Sequence, residues 1–90
     1  MKELINVLIV DSNKVQLELI KSYFELSAMV DFNCIVVDEP AKALEIAVNT
    51  LPDFIVLDIF MGDDHNGLDI CESLLKNTMT HDIPVMFLTS

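Results

Sequence analysis

The chain of 90 residues carries 15 acidic side chains against 5 basic ones, giving a formal net charge of −10. Binding to a phosphate backbone depends on clustered Lys and Arg, and here five scattered lysines stand without any arginine, so direct nucleic-acid binding is excluded. No apolar run approaches the roughly 18 residues needed to span a bilayer, and Met1–Asn6 carries an acidic residue and no small-residue cleavage site. The expectation is one small cytoplasmic domain with no membrane partner.

The apolar run Val7-Leu8-Ile9-Val10 marks the first strand, about Asn6 to Asp11. A helix is predicted from about Asn13 to Ser27, with Val15, Leu19 and Tyr23 and also Ile20 and Phe24 at helical spacing. Asp31 and Asn33 flank the start of a second strand, Phe32 to Val37. Pro40 suits the first turn of a second helix capped by Asp38 or Glu39. That helix reaches Thr50 and is expected to bury Leu44, Ala47, Val48 and Leu51. Leu51-Pro52-Asp53 breaks it and leads into a third strand, Phe54 to Asp58. After a polar loop over Gly62–Gly67, a third helix is predicted from Leu68 to Asn77, facing inward with Leu68, Cys71, Leu74 and Leu75. Pro84 then opens a fourth strand, Val85 to Leu88. Cys34 and Cys71 have neither CxxC nor metal-ligand spacing and read as reduced thiols.

Strand and helix alternate throughout, which implies a doubly wound parallel α/β sheet with right-handed crossovers. Such sheets put their chemistry beyond the carboxyl ends of the strands, at a topological switch point. The first strand ends in Asp11-Ser12 and the third in Asp58. Two carboxylates brought together there repel each other unless a cation sits between them. Asp11 and Asp58 are therefore candidates for a hard-metal site with one carboxylate free to react. The plain alternative is that both cap turns by accepting backbone N–H groups.

The series LIVDS, PDFIVLDI, NGLDICESL and IPVMFLTS resembles, in order and spacing over the whole chain, the receiver domain of two-component response regulators. The resemblance implies a flavodoxin-like sheet in order 2-1-3-4 and a phosphoacceptor at Asp58. It implies Mg²⁺ as cofactor, held by the positions of Asp11 and Ser12, by Asp58 and by the backbone carbonyl of Phe60. It also implies a switch hydroxyl at Thr89 and a histidine kinase or phosphotransfer protein as partner. Such a domain takes a phosphoryl group on its own aspartate and is not a turnover enzyme. A metal-dependent phosphatase with an aspartyl nucleophile commonly has a second acid two residues on, where this chain has Phe60.

The sequence departs from the family pattern in three places. Ser12 puts a neutral hydroxyl where a second acid is usual, so weaker Mg²⁺ binding is expected. The loop after Asp58 lacks the usual Pro and is one residue longer, with Asp63 and Asp64 as candidate substitute carboxylates. The pattern's fourth helix, fifth strand with its essential Lys, and fifth helix have no counterpart, so residues 1–90 are expected to form a receiver domain incomplete at the C-terminus. Little stable phosphorylation is expected of such a form, and a pseudo-receiver used for protein interaction is the competing reading. The uncovered edge of the fourth strand is expected to drive self-association.

Overall fold

The computed structural model describes residues 3–59 and 67–88. Within them the chain alternates β1 (Glu3–Val10), α1 (Lys14–Glu25), β2 (Val30–Val37), α2 (Ala43–Thr50), β3 (Phe54–Asp58), α3 (Gly67–Lys76) and β4 (Val85–Leu88). The four strands form one parallel sheet in the order β2-β1-β3-β4. The expected topology is therefore the observed one. β1 and β2 begin earlier than expected because Glu3–Asn6 pair with Val30–Asn33 beyond the end of β3.

Side chains alternate across a strand, so each central strand feeds both faces of the sheet. Val7, Ile9 and Val56 meet Leu17 of α1, with Ile20, Phe24 and Phe54 packed around them. Leu8, Val10, Ile55 and Leu57 meet Ala43 and Ala47 of α2 and Leu74 of α3. Burial on both faces is why β1 and β3 read as unbroken apolar runs rather than alternating ones. At the amino ends of the strands, Phe24, Phe32 and Phe54 stack edge to face or tilted, with centroids 4.9–6.3 Å apart.

The helix faces need correction. On α1 the inward residues are Leu17, Ile20 and Phe24, whereas Val15, Leu19 and Tyr23 are exposed. The helix carries two apolar rows, and only one can face the sheet. On α3, Leu74, Ile70 and Cys71 pack inward, while Leu68 and Leu75, seven residues apart on one row, are exposed. Leu51 is also exposed, because it ends α2 in a left-handed conformation at φ 44° and turns out of the helix. A short 3₁₀ turn over Pro40–Lys42 precedes α2, and the Glu39 side chain makes no capping bond there.

Candidate functional site

β1 and β3 run in parallel register with Val10 beside Leu57. The next residue of each strand is an aspartate, so Asp11 and Asp58 stand side by side where both strands stop. Both are buried, at 1% and 5% exposure. The Asp11 N–H donates to the Val37 carbonyl at 3.1 Å, which keeps Asp11 on the sheet. Its Oδ1 accepts the Asn13 N–H at 2.9 Å and turns the chain out of β1. Asn13 then caps α1, its Oδ1 accepting the N–H groups of Val15 at 3.0 Å and Gln16 at 3.1 Å.

These contacts use only one Asp11 oxygen. Oδ2 is buried and receives no hydrogen bond. Burial pushes the Asp11 carboxyl above the ordinary carboxylate range; the bond from Asn13 opposes this, and the negative charge of Asp58, together with a hydrogen-bonding contact between the two side chains, adds to it. An orphaned carboxylate oxygen beside a second buried carboxylate is a place where positive charge is stabilising. Mg²⁺ commonly takes one or two protein carboxylates and completes its octahedron with waters and phosphate. The residues present fit that ion, which Asp11 and Asp58 would hold through their carboxylates.

Ser12 follows Asp11 and is exposed. Its hydroxyl adds no charge, and among the described residues no group of three His, Cys, Asp or Glu converges. Among those residues the site brings together two carboxylates. Phe60 and Thr89, assigned above as a carbonyl ligand and as the switch, lie outside the described residues, as do Asp63 and Asp64. Asp58 is paired with Leu88, the last residue of β4. Lys14 and Asp38 form an ion pair of 3.5 Å on the exposed rim, between α1 and the residue after β2.

Two residues of the site were not singled out by the sequence. Helical spacing marks Asn13 only as the start of a helix, although the Asp-x-Asn spacing carries the turn-and-cap pattern. Gly67 is buried and opens α3, with its N–H donating to the Ile59 carbonyl at 2.8 Å. The Asn66-Gly67 pair ahead of an apolar helix was the available signal.

The family model of the response regulator receiver domain matches residues 7–90. Among curated protein sequences none matches. Among solved structures, the N-terminal domain of a response regulator receiver protein from Methanoculleus marisnigri JR1 is 27% identical with a TM-score of 0.84, over 94% of this chain and 66% of its own. A response regulator from Desulfuromonas acetoxidans is 26% identical with a TM-score of 0.76, over 93% and 65%. The response regulator domain of CheB from Thermotoga maritima shares the fold at 23% identity, with a TM-score of 0.80 over 98% and 62%. The chain therefore spans about two thirds of the length of these solved domains. With its fold, its paired aspartates and this match over nearly its whole length, the chain belongs to the response regulator receiver domain family.

Proposed function

We propose that this chain receives a phosphoryl group on Asp58 from the phosphohistidine of a histidine kinase or phosphotransfer protein, in an Mg²⁺-dependent reaction. The observation that carries this reading is the buried, unbonded Oδ2 of Asp11 beside the buried Asp58 carboxylate. An Asp58 oxygen attacks phosphorus, the P–O bond forms, and the P–N bond breaks. The imidazole leaves with that electron pair and takes up a proton, and Asp58 becomes an acyl phosphate. Asp11 and Asp58, with the Phe60 carbonyl, would hold Mg²⁺, which neutralises charge on the phosphoryl oxygens. Asp11 positions that charge; burial in the sheet keeps Asp58 fixed and shielded from bulk water. The Thr89 hydroxyl is the proposed reader of the modified state. The chain turns over no substrate in this reading, and its place is the cytoplasm.

Acetyl phosphate with Mg²⁺ tests the reading by intact mass spectrometry. A single phosphoryl adduct is expected at early times, with little of it accumulating as a stable product. Asp58→Ala should abolish it. No adduct at any time from a chain that binds Mg²⁺ would contradict phosphorylation and favour the pseudo-receiver reading, which the neutral Ser12 supports.

A second copy of the chain is the proposed partner at the β4 edge. Among the described residues β4 pairs only with β3, and Met86 on it is half exposed. Phe54, Pro84, Val85 and Met86 line a shallow apolar groove of about 330 Å³ beside that edge. An unpaired strand edge with apolar flanks is a template for pairing with another strand.

A further inference from the structure

Gly67 brings the start of α3 against the backbone at the end of β3, beside the site. Its N–H donates to the Ile59 carbonyl at 2.8 Å, while the Ile59 N–H donates to Leu88 of β4 at 3.2 Å. Ile59, the residue after Asp58, is thus held through both its N–H and its carbonyl, by a strand and by a helix start. A Cβ at residue 67 would collide with the carbonyl oxygen of Asp58, and would lie 3.0 Å from Ile59 Cα and 3.1 Å from the Asp58 carbonyl carbon. All three obstacles are backbone, so no side-chain rotation relieves them. Either α3 retreats or the chain moves at Asp58 itself.

We propose that Gly67 is a positioning residue for Asp58. Its missing side chain lets α3 begin on the carbonyl of the reacting residue and fixes that carboxylate against Asp11. The inference rests on the receiver reading above and goes beyond it, because Gly67 has no side chain to offer a metal or a phosphoryl group and its N–H is taken by the Ile59 carbonyl. Misplacing a reacting group by about 1 Å costs on the order of a hundredfold. A helix that has backed away from Asp58 should therefore weaken the metal site before it unfolds the domain.

Mn²⁺ binding followed by electron paramagnetic resonance tests this, with folding monitored by circular dichroism. The variants are Gly67→Ala and, as a control, Leu74→Ala, which opens a cavity in the same helix away from the site. Leu74→Ala should lower the melting temperature and leave Mn²⁺ affinity within about twofold of the native chain while folded. Gly67→Ala should lose roughly tenfold or more in affinity while still folded. Should Gly67→Ala fail to fold, a chain assembled with glycolic acid at position 67 deletes the N–H without adding an atom, and a severalfold loss is expected. Native-like affinity in either Gly67 variant overturns the inference and leaves the receiver reading standing. No Mn²⁺ binding by the native chain overturns the receiver reading and the inference with it.

Discussion

A carboxylate held out of water with one oxygen unbonded is a cost that the fold carries at residue 11. Because burial raises the Asp11 carboxyl above its ordinary value, the folded chain holds that proton more tightly than the unfolded chain does. Below the unfolded value the group is neutral in both states and costs nothing. As pH rises through the window between the unfolded and folded values, stability falls, and the loss is complete above the folded value. Asp11→Asn removes this titration. Urea unfolding should show the variant more stable than the native chain at pH 7, by on the order of 1 kcal/mol, and the gap should close toward about pH 3. A native chain that is the more stable of the two at pH 7 in the absence of divalent metal would contradict the electrostatic account. The identities of Asp11 and Asp58 were legible in the sequence because each ends an apolar run that only a buried parallel strand explains. The orphaned oxygen was not, since it depends on Asn13 taking one Asp11 oxygen and leaving the other.

At the scale of elements, α1 has its start specified by one side chain. Asn13 Oδ1 accepts two of the first-turn N–H groups, so Asn13→Ala should cost about 1 kcal/mol by denaturant unfolding. Glu39→Ala should change stability little, because that side chain makes no capping bond. Equal losses in the two variants would mean that the caps are wrongly assigned. The strands and their order were legible because continuous apolar runs alternating with helical stretches permit few topologies. The helix faces were less so. α1 carries Val15, Leu19 and Tyr23 on one row and Leu17, Ile20 and Phe24 on another, and periodicity alone cannot say which row the sheet takes. Leu68 and Leu75 mislead in the same way: they share a row, but Ile70, Cys71 and Leu74 fit the surface of β3 and β4. The start of α3 against the Asp58 carbonyl is a tertiary fact with only a glycine as its sequence trace.

For the molecule as a whole, charge and the β4 edge oppose each other. With a net charge of −10, two copies repel, and salt screens that repulsion beyond about 10 Å at 0.1 M. Light scattering over a concentration series should therefore show association that strengthens as salt rises, and Met86→Lys on the edge strand should abolish it. A monomer at every concentration and salt level would contradict the proposed use of that edge. The site itself is also a property of the whole fold, since Asp11 and Asp58 meet only when β1 and β3 pair. A ligand that binds only the folded state raises its stability in proportion to the logarithm of the ligand's concentration over Kd, once above Kd. Placing a third carboxylate near a divalent ion at about 4 Å is worth roughly 2 kcal/mol in water, or about thirtyfold in affinity. The most direct test of the account is thermal unfolding against Mg²⁺ at constant ionic strength, for the native chain, Ser12→Asp and Asp58→Asn. The account predicts that Mg²⁺ raises the melting temperature of the native chain, does so at lower concentration in Ser12→Asp, and has little effect on Asp58→Asn; an equal rise in all three would contradict it.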